Sequence, residues 1–204
     1  MLIDQSFTQL LDSFSSSDPT PGGGSASALA GAVGAALLAM VAGLPKTKHG
    51  TDEDRAALAT SRAALVQLRD ELARLVDRDT QAYDRVVAAY RLPKATDDEK
   101  AARSAAIQGA LRLAIDTPLA VMRACEAAAR QAEAVARHGN PSASSDVRVG
   151  LELLRAGLHG ARLNVDINLG SVKDEVYVSG VKREVDALSA GQESAATRAQ
   201  ALLA

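Results

Sequence analysis

The chain has 204 residues, a net charge of −2, 47% hydrophobic residues and 2% aromatics, with no tryptophan. That length carries one domain with a real core, the charge gives no global field toward nucleic acid or an anionic membrane, and so few rings exclude a base-stacking surface. The single cysteine, Cys125, excludes an intrachain disulfide and fits a reducing, cytoplasmic setting.

Alanine is abundant and β-branched residues nowhere alternate with polar ones, so an all-α fold is expected. Residues Leu2–Phe14 read as a short amphipathic helix with Phe7, Leu10, Leu11 and Phe14 on one stripe. A polar linker, Ser15–Asp18, leads to Pro19-Thr20-Pro21-Gly22-Gly23-Gly24-Ser25. Two prolines stiffen this approach, and three glycines bring backbone N–H groups close to whatever lies there. Ser25 reads as the N-cap of the next helix, whose N-terminus favours an anion. The alternative is a glycine-rich entry to a buried helix with no ligand. A phosphate loop is not indicated, because no Lys follows the glycines.

Ala26–Leu44 carries no charge. Its length would span a bilayer, but most of it is Ala and Gly, and no charged segment of a signal peptide precedes it. Small residues at Gly24, Ala28, Gly31, Ala35 and Ala39 make one face flat. The reading is a central helix buried on all sides of a multihelical bundle, ended by Pro45, with no membrane partner. A basic loop, Lys46, Lys48 and His49, follows.

Asp52 to about Leu92 reads as one long helix. Its stripe is Leu65, Leu68, Leu72, Leu75, Tyr83, Val86 and Tyr90, in steps of three or four apart from one gap. The position that fills that gap is Asp79, whereas Asp77 and Asp84 lie off the stripe and can be solvated. Thr96–Glu99 is a capping box for the next helix, with a core stripe of Ile107, Leu111, Ile115, Leu119 and Met122. Pro118 should kink or split it. The second part runs to about His138. Gly139-Asn140-Pro141 is a turn, Ser142–Ser145 cap a helix to about Ser171, and a polar helix runs from about Lys173 to the C-terminus. Repeats, low-complexity tracts and domain linkers are absent, so residues 1–204 read as a single domain.

A carboxylate on an apolar stripe loses solvation, which raises its pKa toward the range a general acid–base needs. Asp79 is therefore the leading candidate, with the Tyr83 hydroxyl one turn on. The alternative is a buried Asp that caps a helix or pairs with an Arg. Asn164 and Asn168 share a face with Gly157 and Gly160, which suits a ligand or another backbone. By pattern alone Asn140 and Asp146 are capping residues. Lys46, Lys48, Lys94 and Arg103 suit either an anionic ligand or plain solvent. His49, His138 and His159 have no metal spacing with acids or Cys125, so no metal site is expected, and Cys125 reads as core.

Several segments then coincide in order: Pro19–Ser25, Asp77-Arg-Asp-Thr-Gln-Ala-Tyr83, Leu92–Lys100, Ala106-Ile-Gln108, Gly139–Asp146 and Asn164-Val-Asp-Ile-Asn-Leu169. Together they resemble the cyclodeaminase/cyclohydrolase family, which includes the C-terminal domain of formiminotransferase-cyclodeaminase and free-standing methenyltetrahydrofolate cyclohydrolases. The family often has Gly-Lys-Lys-Lys-Tyr after the buried helix, where this chain has Pro45–Gly50 without a Tyr.

The resemblance implies an all-helical bundle that forms a homodimer, with a folate site near the interface. It implies Asp79 as proton donor and acceptor, with no cofactor beyond the tetrahydrofolate substrate. Around Asp79 and Tyr83 it sets a substrate-binding group of Pro21, Gly22, Gly23, Gly24, Ser25, Lys46, Lys48, Lys94, Arg103, Asn140, Asp146, Asn164 and Asn168. With such a substrate, Asn164 and Asn168 could hold the pterin or the one-carbon carbonyl, and the charge of Lys94 and Arg103, rather than the resemblance, makes them candidates for the glutamate tail. The expected reaction is hydrolysis of 5,10-methenyltetrahydrofolate. Cyclodeamination of 5-formiminotetrahydrofolate is the alternative, and a non-catalytic folate-binding bundle a lesser one.

Overall fold

Reciprocal capping fixes where three helices begin. Ser6 with Gln9, Thr51 with Asp54 and Thr96 with Glu99 each exchange side-chain and backbone hydrogen bonds, the last as the sequence indicates. The computed structural model describes residues 1–44 and 50–203. The helices are α1 (Phe7–Ser15), α2 (Gly23–Gly43), α3 (Asp52–Tyr90), α4 (Asp97–His138), α5 (Ser144–Leu169) and α6 (Glu175–Ala201). No strand occurs among the described residues, and the fold is an all-helical single domain. At 1.5 Å per residue, α3 and α4 each run about 60 Å and pack along one another.

Helix α2 packs on α3, α4 and α5. The α2–α5 contact is close because glycines face each other. A Cβ on Gly34 would sit 2.7 Å from the Gly150 carbonyl oxygen, and one on Gly157 would sit 2.9 Å from that of Ser27. Leu38, Leu65, Leu72, Leu75, Ile115, Leu119, Met122, Leu151, Leu154 and Leu158 fill the core between these helices. Helix α6 closes the α4 side with Val181, Val185, Ala195, Ala196 and Ala199. Ion pairs such as Arg123–Glu184 and Arg198–Glu133 tie it down at the surface.

Several expectations need correction. The N-terminal helix is two pieces, a 3-10 turn at Leu2–Asp4 and α1, because Ser6 caps a fresh start. Helix α2 begins at Gly23 with Gly22 as its N-cap, so Ser25 lies inside the first turn and is not the cap. The same helix is not buried all round: Ala26, Val33 and Met40, spaced by seven, form an exposed line. Its length and mean hydropathy of 1.9 would suit a membrane, yet over half of that window is buried against the rest of the chain. Pro118 does not split α4, which runs unbroken through it. Asn140 caps the short 3-10 turn Pro141–Ala143 by accepting from Ser142 N–H at 3.0 Å, and α5 starts without a serine cap.

Candidate functional site

The approach to α2 with its first turn, the C-terminal part of α3, one residue of α4 and the C-terminal part of α5 border a cavity of about 360 Å³. Pro19, Thr20, Gly22, Gly23 and Gly24 line one side. Asp79, Ala82, Tyr83 and Val86 line the second, and Ala114, Asn164, Ile167 and Asn168 the third. Asp79 is the only charged side chain among them. A larger cavity of about 450 Å³ lies beside Arg55, Arg62 and the Asp54–His138 pair. Size does not decide between them; the first is singled out because it holds a carboxyl group perturbed by burial.

Asp79 continues the Leu65–Leu72–Leu75 line of α3, which sinks it partly into the core. Its carboxyl meets the N-terminus of α2. The Ser25 hydroxyl lies 3.0 Å from Asp79 Oδ2 and 2.9 Å from the Val76 carbonyl oxygen. Burial raises the Asp79 pKa above the usual carboxylate value, and bonds from the Ser25 side chain and backbone N–H only partly offset it. The anion favoured at this helix start is thus the protein's own carboxylate.

The glycines explain how Asp79 fits. A Cβ on Gly24 would collide with the Asp79 carboxyl group, whereas one on Gly23 would sit 3.7 Å from Asn164 Nδ2. Gly157 and Gly160, in contrast, make room for the Ser27 backbone and hydroxyl, so they serve helix contact. Asn164 and Asn168 turn toward the cavity from the next part of the same helix. Asn164 Nδ2 donates to Gly160 O at 2.9 Å, and Asn168 Nδ2 donates to Asn164 O at 2.8 Å and Ala114 O at 3.3 Å.

The other candidates fall elsewhere. Tyr83 lines the cavity but is 41% exposed, so the apolar stripe surfaces there. Pro21 follows a cis Thr20–Pro21 peptide and does not line the cavity, and Ser25 lies behind Asp79, fully buried. Lys94 and Arg103 line a separate cavity of about 430 Å³ with Tyr90, Lys100, Gln108, Ser171 and Lys173. There Arg103 donates to the Tyr90 carbonyl and covers its ring. Ser171 is three residues past Asn168, so the two cavities adjoin within about 11 Å of chain. Asn140 and Asp146 sit at the other end of α5, and Asp146 is about 27 Å along the helix from Asn164. Lys46 and Lys48, like Pro45 and His49, lie outside the described residues. Among those described, no three His, Cys, Asp or Glu converge as metal ligands.

Sequence reasoning missed two features. Asp77 is buried, not solvated: its Oδ1 accepts from the Leu2 N–H at 2.6 Å, because the N-terminal turn folds over it. Leu163 and Ile167, four apart on α5, are 70% and 77% exposed beside the cavity, a signal present in the sequence as two apolar residues flanking Asn164 and Asn168.

A family model described as formiminotransferase-cyclodeaminase matches residues 6–187. The chain is 41% identical over 190 residues to a methenyltetrahydrofolate cyclohydrolase of Methylorubrum extorquens, covering 93% of this chain and 91% of that protein. It is 32% identical over 187 residues to the formimidoyltransferase-cyclodeaminase of Rattus norvegicus, where it spans 35% of the relative's length. The crystal structure of a formiminotetrahydrofolate cyclodeaminase from Thermotoga maritima superposes with a TM-score of 0.88 at 27% identity, over 100% of this chain and 98% of that one.

Proposed function

The chain belongs to the formiminotransferase-cyclodeaminase family, and on that basis we propose that it hydrolyses 5,10-methenyltetrahydrofolate to 10-formyltetrahydrofolate in one-carbon metabolism. The observation that carries this reading is the partly buried Asp79 carboxyl, the one charged group among the described residues that line its cavity. The likeness to a methenyltetrahydrofolate cyclohydrolase over nearly the full length of both chains supports it.

Water adds to the cationic carbon between N5 and N10, and Asp79 accepts the proton released. The tetrahedral carbinolamine then collapses. The N5–carbon bond breaks as Asp79 returns a proton to N5, and the hydroxyl loses its proton to solvent as the formyl carbonyl forms. One group must therefore take and give a proton in turn. Ser25 suits both states of that group. Its hydroxyl donates to the carboxylate, or turns its hydrogen to Val76 O and accepts from the carboxylic acid. No resident metal or cofactor takes part in these steps.

The same site serves cyclodeamination, a second reading favoured by the likeness to cyclodeaminases. There N10 attacks the carbon of the protonated formimino group, Asp79 carries the N10 proton to the departing nitrogen, and ammonia leaves with formation of the methenyl cation.

Asn164 and Asn168 hold the pterin or the one-carbon oxygen, and the Gly22–Gly24 turn packs against it. The basic cavity of Lys94 and Arg103 takes the glutamate tail, with Lys46 and Lys48 as further candidates. The protein acts in the cytoplasm as a homodimer with α2 at the centre of each bundle, without membrane or nucleic-acid partners. Exposed Leu163 and Ile167 beside the cavity support an interface there. Asn140 and Asp146 then reach a site only from the partner protomer.

The test is loss of the methenyl chromophore with wild type and with Asp79→Asn. Acceleration by wild type alone supports the reading. No acceleration, but formation of the chromophore from 5-formiminotetrahydrofolate, transfers it to the cyclodeaminase. Silence with both substrates leaves a non-catalytic folate-binding bundle.

A further inference from the structure

Pro118 sits mid-helix, buried, where helix propensity argues against it. It has no N–H, so the carbonyl of Ala114, four residues earlier, lacks its helical donor. Ala114 lines the Asp79 cavity, and its carbonyl oxygen accepts from Asn168 Nδ2 of α5 at 3.3 Å. The second hydrogen of the same amide goes to Asn164 O at 2.8 Å. Both neighbours are carbonyls and can only accept, so the amide has one acceptable orientation. Its Nδ2 faces the two backbones, which leaves Oδ1 as the group Asn168 offers the cavity.

We infer that Pro118 is a positioning residue: by freeing the Ala114 carbonyl it fixes the Asn168 amide so that Oδ1 is presented as an acceptor to N–H donors of the substrate. A tetrahydropterin ring, rich in N–H groups, is the matching chemistry. This inference rests on the proposed folate reaction.

Pro118→Ala restores an N–H that claims the Ala114 carbonyl. A purely structural proline would give no loss of binding on replacement by the better helix former. The expected result is an unchanged or higher Tm, KM raised about fivefold and kcat within about twofold, the split that lost ground-state binding gives. In an Asn168→Ala background, Pro118→Ala should leave KM where Asn168→Ala alone puts it. The Asn168 side-chain amide resonances, assigned by their absence in Asn168→Ala, should shift in Pro118→Ala without substrate present.

Unmoved amide resonances overturn the inference, as do moved resonances with a wild-type KM, or equal KM effects in both backgrounds. Each of these leaves the proposed reaction standing. A wild-type protein inert toward both methenyl- and formiminotetrahydrofolate removes the reaction itself, and the inference with it.

Discussion

One hydrogen on Ser25 lies within reach of two acceptors, the Asp79 carboxylate and the Val76 carbonyl. It stabilises the ionised carboxylate when it points one way and leaves an acceptor for the protonated acid when it points the other. Ser25→Ala removes that donor. The Asp79 pKa, already raised by burial and held back by Ser25, should rise further. The limb of kcat/KM on which Asp79 ionises should then move to higher pH, with the Ser25 backbone bond limiting the shift. A pH profile with an unmoved limb would show that Ser25 does not act on Asp79.

Asp79→Asn should lower turnover by about 10²-fold or more, the range for loss of a general acid–base. Its effect on stability has the opposite sign. The folded-state pKa lies above the ordinary value of 3.8, so the folded protein holds this proton to higher pH than the unfolded chain. The associated stability is complete below the ordinary value and is lost as pH rises through the raised one. An asparagine does not titrate. Thermal melts at pH 7 should therefore place the variant above wild type, with the gap narrowing under acid conditions.

Gly24→Ala tests the fit between α2 and the carboxyl group. In a helix the change alone gains up to about 1 kcal/mol, but the new methyl would occupy the place of the Asp79 carboxyl. Displacing a reacting group by about 1 Å costs on the order of 10²-fold in rate. Chemical denaturation alongside kcat should show an activity loss out of proportion to any change in stability.

Cys125 faces Gly31 and Gly157 in the α2–α4–α5 core, fully buried, and burial pushes its thiol up to about 12. Because the thiolate is the reactive form, a thiol reagent at neutral pH should label the folded protein negligibly. Labelling should become stoichiometric in denaturant. Fast labelling of the native protein would contradict this packing.

Asp79 could be read from sequence because a carboxylate interrupts a helical run of leucines, a local signal. Its partner could not, since Ser25 is 54 positions away and residue type alone favours it as a helix cap. The cap fell instead on Gly22. Pro118 suggested a break by the same local logic. The helix survives because Ile115, Leu119 and Met122 are clamped in the core and Asn168 from α5 bonds the freed carbonyl. Asp77 reads as solvated from its place off the stripe, but its burial depends on a turn 75 residues earlier. The all-helical class and the approximate place of the long helices followed from periodicity and capping. What periodicity does not carry is which side chains meet across helices.

The negative charge of Asp79, the one charge among the described residues lining its cavity, has a bearing on product release. Methenyltetrahydrofolate brings a cation to it, and hydrolysis turns that ring system neutral. Coulomb attraction in a partly dry site therefore holds the reactant and not the product. If Asp79 is the base, as proposed, each completed turnover abolishes the ion pair that helped to retain the ligand, and the step that consumes the cation also loosens the grip on its product.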